Sequence, residues 1–310
     1  MPKNRKFYLF LKWAIMLSAY AYLAYKLAHI AYWQELKESF VSMDAARFWL
    51  LAGVVVLMPV NWAIEVKKWQ ALTANLVKLP FRTAAKSVLA GLSTGFITPA
   101  RVGEFAGRVL YLPEKKRVAG TMLAFVNGIT QTLVITVFGL AAAIFYFKEY
   151  RPIVNYTSYL LIISVIFFLG LSLFFIFPKI SGQIKTHRWA AKFQDTLKAL
   201  SELKTNTLLY VLAISAARYA VFCLQYYLLL HFFRIEITPL QALTGIPTMY
   251  LLITYTPTLA ASEAAIRGSE AVLVLGVFST NEIGILLTGI LIWGINFIVP
   301  MAAGTRTFTN

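Results

Sequence analysis

Long apolar runs restrict this chain more than any other feature. Residues 8–30, 118–147, 153–177 and 207–233 each exceed the roughly 20 residues that cross the hydrocarbon core of a bilayer. In lipid the backbone has to satisfy its own hydrogen bonds, which leaves helices and closed barrels. A barrel would alternate over segments of about ten residues, whereas these runs are continuous. Only 14% of the 310 residues are charged, against about 25% in soluble domains. The sequence therefore predicts an all-α polytopic membrane protein. It forms a single transmembrane domain, 1–310, with crossing helices near 8–30, 46–64, 118–147, 153–177, 207–232 and 283–304. Lys3, Arg5 and Lys6 before the first run resemble the start of a signal peptide. That run is too long and has no small-residue cleavage site, so a retained helix is expected.

Two further apolar segments, 84–112 and 240–278, are interrupted by Pro99 and Pro257. Proline removes a helical hydrogen bond and clashes with the preceding turn. Each interruption opens a cluster of charges. The first reads Thr98-Pro99-Ala100-Arg101-Val102-Gly103-Glu104, then Arg108; the second runs from Thr256-Pro257 to Glu263, Arg267 and Glu270. In both, Glu precedes Arg by four residues. A charge at mid-bilayer depth costs about 2.5–3.5 kcal/mol on insertion scales, so such residues mark a pathway or a binding site.

Charge counting decides how the broken segments run. If each enters and leaves on the same side, one membrane face receives 19 Lys/Arg against 4 acids and the other 6 against 6. That excess marks the cytoplasmic face. A straight helix through 84–112 would set Lys115, Lys116 and Arg117 opposite Lys78, Arg82 and Lys86 and erase the bias. The expectation is therefore two re-entrant hairpins inserted from opposite sides. They would form an inverted repeat with halves near 1–150 and 151–310, a recurring transporter plan. Both termini would be cytoplasmic. The same bias accounts for the net charge of +16 without nucleic acid as a partner.

Arg101, Glu104 and Arg108 have the spacing of one helix face, as do Glu263, Arg267 and Glu270,. The orders, plus-minus-plus and minus-plus-minus, would let facing tips pair as internal struts. Against that reading, buried ion pairs are often replaceable by apolar residues without loss. Arg218 adds a further cation, with Gln225 seven residues on and on the same face. Four arginines suit a phosphate, which guanidinium grips with two parallel bonds. Half-helices starting after Pro99 and Pro257 would add free N–H groups, with Thr98 and Thr256 as caps. Gly103 and Gly107 would allow close backbone approach. Asn61, Asn127, Gln131 and Asn296 are expected to join helices to one another, and Glu65 to pair with Lys67 or Lys68 at the cytoplasmic edge. Residues 187–205 carry Phe193, Leu197, Leu200 and Leu203 at helical spacing, which predicts an amphipathic helix, either an ordinary loop helix or one lying in the cytoplasmic interface,. Tryptophans 13, 33, 49, 62, 69, 189 and 293 fall mostly near helix ends, as interfacial anchors do,.

Enzymatic signals are weak. Cys223 is the only cysteine, which excludes an internal disulfide. His29, His187 and His231 have no metal-ligand spacing. Asp44 and Asp195 lie outside the apolar segments. There is no phosphate-cradling glycine loop and no nucleophile elbow, so no cofactor, metal or catalytic residue is expected.

The stretch 91–112, with Thr98 through Glu104 and Arg108, resembles the signature of the lysylphosphatidylglycerol synthase transmembrane family. Arg218 with Gln225, and Pro257 through Glu270, sit where that family carries later polar motifs. The resemblance spans essentially the whole chain. Many relatives are glycine-rich after the second proline; here the run is Thr258-Leu259-Ala260-Ala261-Ser262. The resemblance implies lipid translocation in a bacterial or archaeal cytoplasmic membrane. No soluble aminoacyl-transferase domain lies within these residues, so it does not imply lysyl-lipid synthesis. The expected partner is an anionic phospholipid or a polyprenyl-phosphate-type lipid, and the oligomeric state, a homo-oligomer included, is left open. The alternatives are an enzyme acting on a lipid phosphate, a non-transporting scaffold of envelope synthesis, and a transporter of small solutes.

Overall fold

A computed structural model of the chain describes residues 37, 38, 40, 41, 43–98, 101–150, 156–184, 193–256 and 263–305. The first expected helix, 8–30, and both tip prolines lie outside them. The described residues form helices and no strand: α1 (Ala45–Thr73), α2 (Phe81–Ile97), α3 (Gly103–Val109), α4 (Arg117–Glu149), α5 (Tyr156–Ile184), α6 (Gln194–Ser201), α7 (Thr205–Phe232), α8 (Pro239–Tyr255), α9 (Glu263–Leu275), α10 (Glu282–Trp293) and α11 (Val299–Thr305). A π-helical turn, Gly294–Ile298, joins the last two. Five segments are long and apolar enough to cross a membrane: Ala45–Thr73, Glu114–Glu149, Leu161–Ile184, Thr205–Phe232 and Glu282–Thr305. The protein is a multi-pass helical membrane protein, as its composition requires. Its outer walls confirm this, because Leu161, Phe168, Leu169 and Leu173 of α5 are all at least 60% exposed. A helix apolar all round belongs in lipid.

Local signals set the helix ends. Asp44 accepts from the Arg47 N–H at 2.8 Å and starts α1. Thr238 and Gln241 form a reciprocal capping box with Pro239 in the first turn of α8. Asn281 accepts from the Gly284 N–H at 2.9 Å and starts α10. At the two breaks, Thr98 (φ −103°, ψ 142°) and Thr256 (φ −81°, ψ 119°) are both extended. A following proline forces this on the residue before it by clashing with the α conformation.

Cross-links between elements define two ends of the bundle. At one end Lys116 Nζ donates to the Leu76 carbonyl (2.6 Å) and Asn75 to that of Glu202 (2.9 Å). At the other, Arg47 Nε donates to the Phe232 carbonyl (2.8 Å), and Tyr150 stacks edge-on against Phe278 with centroids 4.8 Å apart. Helices α2 and α3 fold back on each other and open toward the first end; α8 and α9 do the same toward the second. The first hairpin is tight. Ser87 Oγ donates to the Arg108 carbonyl (2.5 Å) and Thr94 Oγ1 to that of Gly103 (2.7 Å). Gly107 lies so close to the Thr94 hydroxyl and the Ala90 carbonyl that a Cβ there would overlap both.

Three apolar clusters hold the bundle. One, around Tyr146, Tyr226 and Met249, joins α4, α7, α8 and α9. A second, around Trp69, Leu123 and Val211, joins α1, α4 and α7. A small third one, Leu92, Phe96, Trp293, Phe297 and Met301, seats the first hairpin on the C-terminal helices.

Two expectations are narrowed by the structure. Leu200 and Leu203, the apolar face of the loop helix, are 2% and 6% exposed and belong to the second cluster. The described part of that helix therefore docks on protein instead of turning this face to lipid. Among the tryptophans, Trp49 is 71% exposed, whereas Trp69 is fully buried and Trp62 and Trp293 line an interior cavity. Helix ends here are also packing sites, so position along a helix does not separate an anchor from a core residue.

Candidate functional site

Helix α1 runs to Thr73, about two and a half turns beyond the expected end at residue 64,. That extension carries Glu65 and Lys68 inside the protein, 2% and 0% exposed. Glu65 is not an edge pair but the hub of the polar centre. Its Oε1 accepts from Arg108 Nη2 and from Asn127 Nδ2, both at 2.6 Å. Its Oε2 lies 3.1 Å from Arg218 Nη1 and 3.5 Å from Lys68 Nζ. One carboxylate thus gathers three cations from α1, α3 and α7. Removing charge from water is costly, and such a group persists only when it is paired and hydrogen-bonded.

The partners are themselves held. Arg108 Nη2 also donates to Glu104 (2.6 Å), one turn back on α3. Arg218 donates from Nε to Asn61 Oδ1 (2.7 Å) and from Nη1 to Gln131 Oε1 (3.4 Å). Its guanidinium lies 5.3 Å from the Trp62 ring and 5.0 Å from that of Phe222, where aromatic faces favour a cation. Asn61, Asn127 and Gln131 do bridge helices, and what they bridge is this network.

A second ion cluster joins the hairpin tips. Glu263 Oε1 accepts from Arg101 Nη2 at 2.6 Å and from Arg267 Nε and Nη2 at 3.0 and 2.9 Å. Arg101 does not share a helix face with Glu104 and Arg108. It precedes α3 with φ 56°, a left-handed conformation that non-glycine residues seldom adopt and that carries local strain. That turn lays its guanidinium 3.8 Å from the Phe297 ring centroid. Phe297 sits in the π-helical turn, an irregularity common at functional sites. The expected alternating pairing of the two charge triplets is therefore met at one bridge, Arg101 to Glu263. Arg108 is drawn instead to Glu65, because close packing of α3 on α2 directs it toward α1.

Both clusters border one cavity of about 1000 Å³. Arg101, Glu104, Arg108, Arg218, Glu263 and Arg267 all line it, as do Glu65 and Lys68. From this polar end the cavity continues along apolar side chains of α4 and α5, among them Phe125, Ile129, Leu173 and Phe177. Phe125, Leu173 and Phe177 are 52%, 60% and 40% exposed, so this arm reaches the outer wall of the bundle. Two further candidates lie elsewhere. Gln225 is fully buried and donates to the Val54 carbonyl (2.8 Å), tying α7 to α1. Glu270 is 8% exposed on α9 and outside the cavity lining. Thr98 caps the first tip, accepting from the Gly103 N–H at 2.7 Å, whereas Thr256 Oγ1 turns back to the Leu252 carbonyl (3.0 Å).

The sequence did hold a signal for the missed hub. Asn61, Glu65, Lys68 and Leu72 are spaced i, i+4, i+7, i+11, one continuous helical face,. Among the described residues no group of His, Cys, Asp and Glu is placed to hold a metal ion.

No protein of established function and no solved structure matches the chain. The family described as "Lysylphosphatidylglycerol synthase TM region" matches residues 10–304. The chain belongs to that family, whose name implies a membrane lipid-related function.

Proposed function

We propose that the protein is a lipid transporter that passes the phosphate-bearing headgroup of an anionic lipid between leaflets through the Arg/Glu centre. One observation carries the reading. The cavity that holds the arginines is continuous with an apolar arm reaching the lipid-facing wall between α4 and α5. A headgroup at Arg101, Arg108, Arg218 and Arg267 leaves its tails a path that stays in apolar surroundings throughout. A small-solute carrier has no use for such a path. The hairpins are the re-entrant elements of an inverted repeat, and the basic end that holds Lys116 and Lys78 faces the cytoplasm. Rocking of one hairpin repeat against the other exposes the site to each leaflet in turn. The bridge from Arg101 to Glu263 joins the hairpins, and a phosphate competes with Glu263 for both arginines.

The test is reconstitution into vesicles containing a fluorescently labelled phosphatidylglycerol, followed by a membrane-impermeant quencher. The wild-type chain speeds exchange between leaflets, and mass spectrometry finds the lipid chemically unchanged. Arg101→Gln and Arg267→Gln fold and fail to speed exchange. Exchange at wild-type rates in both variants overturns the assignment of the site. A covalently altered headgroup identifies an enzyme instead, and a wild-type chain that moves no lipid identifies a scaffold.

A further inference from the structure

We infer that the headgroup taken by this cavity carries a doubly charged phosphate, as in a phosphomonoester, and not the singly charged phosphate of a phosphodiester. The inference rests on the lipid-transport reading and sharpens its substrate. Three carboxylates line the cavity, Glu65, Glu104 and Glu263. Five cations face them, because Lys68 joins the four arginines already described. The described lining thus holds two positive charges in excess. The tip residues outside the described set, 99–100 and 257–262, include no ionisable side chain that would change this balance.

The excess is divided. Among the lining residues, Arg108, Arg218 and Lys68 exceed Glu65 and Glu104 by one, and Arg101 with Arg267 exceed Glu263 by one; Glu270, three residues beyond Arg267 on α9, is within electrostatic reach of Arg267 but lies off the lining. Unbalanced charge inside a membrane is costly, and a singly charged phosphate leaves half of it in place. A dianion neutralises both parts.

The hydrogen-bond inventory points the same way. Arg108 is 3% exposed, and its Nη1 has no partner. The Lys68 ammonium is fully buried, and its contacts to Glu65 and to the Asn127 carbonyl are both 3.5 Å long. Trp62 Nε1 and Gln131 Nε2, also on the lining, are unpartnered donors. The unpartnered neutral acceptors on the described lining are the amide oxygens of Asn127 and Asn296 and the Tyr219 hydroxyl, which can also donate. Buried donors left unmade are expensive. A phosphomonoester offers three strong acceptor oxygens, one more than a phosphodiester has free.

The experiment is calorimetric titration of the purified full chain in detergent with three probes: dihexanoyl phosphatidic acid, dihexanoyl phosphatidylglycerol and inorganic phosphate. At pH 7.5 the phosphatidic acid binds at least about tenfold tighter than the phosphatidylglycerol, the scale of one further charge-assisted contact. At pH 5.5 the gap narrows, because the monoester regains its second proton near pH 6 while the diester does not change. Lys68→Met removes one excess charge and reduces the preference; Gln131→Leu, which alters no charge, reduces it less. Equal binding of the two lipids by the wild-type chain overturns the headgroup inference and leaves lipid transport standing. Binding of inorganic phosphate but of neither lipid supports the dianion site and overturns the lipid reading. No binding of any probe overturns both.

Discussion

The two hairpins are written in one grammar and built in two ways. Each has a threonine-proline break followed by Glu four residues before Arg, and each opens toward its own end of the bundle. The first packs on itself. Its return arm, α3, has seven residues and is bonded to α2 by Ser87 and Thr94. The second is held from outside: Tyr146 of α4 donates to the Val274 carbonyl at 2.7 Å, and Gly268 packs on Leu286 of α10. The consequence appears in the charges. Arg108 sits on the tightly packed arm and is delivered to a buried carboxylate, Glu65. Arg267 sits on the looser arm and keeps 23% of its side chain exposed, beside Glu263 and an Arg101 that is 33% exposed. Matching motifs therefore produce one fixed network and one accessible pair.

The strongest way to break this contrast is to remove each hub carboxylate in turn. Glu65→Gln leaves three buried cations with Glu104 as their only remaining counter-charge, and removing one partner of a buried pair costs about 3–5 kcal/mol. A large drop in apparent thermal stability in detergent is expected, with loss of monodisperse protein. If Glu65→Gln melts with the wild type, the network is not structural.

Gly107 gives the next largest effect. Gly107→Ala drives a Cβ into the Ala90 carbonyl and the Thr94 hydroxyl, backbone and short side chain that cannot move aside; overpacking of this kind costs about 1–3 kcal/mol. Size-exclusion profiles after graded heating would show it, and an unaltered profile would mean that the hairpin arms are further apart.

Glu263→Gln should cost about 1 kcal/mol or less, because Arg101 and Arg267 are 33% and 23% exposed and a partly exposed ion pair contributes little,. Its signature is functional: lipid exchange in vesicles changes while melting barely moves. A melting shift as large as that of Glu65→Gln would erase the distinction between the two clusters.

Gly245→Ala in the second hairpin has a comparably small stability effect and no functional signature. Its Cβ would meet Leu275 and Phe278 at 2.7 Å, but these are side-chain ends that can rotate away. A cost at the low end of the overpacking range, about 1 kcal/mol, is expected, and parity with Gly107→Ala would contradict the looser packing of this hairpin.

Much of the fold was legible beforehand. The spans near 46–64, 118–147, 207–232 and 283–304 follow from apolar length, and the breaks at Thr98 and Thr256 from the prolines after them. The site was legible only in part. Arg101, Glu104, Arg108, Arg218, Glu263 and Arg267 stand out as charges in apolar sequence. Glu65 did not, because it adjoins Lys67 and Lys68 and looks like the edge of a span. Only the length of α1 and the arrival of Arg108 and Arg218 from distant segments make it a hub. Arg101 was misplaced onto a helix because spacing alone does not reveal a left-handed turn.

By itself the sequence determined what local physics controls: how many residues resist water, where a proline stops a helix, and which charges had to be sheltered from lipid. Tertiary structure alone decided who shelters whom. An ion pair depends on distance in space, and Glu65 lies 43 residues from Arg108 and Arg101 lies 162 from Glu263. Nothing in the chain's local pattern encodes separations that only the packing of two hairpins against α1 and α7 brings down to hydrogen-bond length.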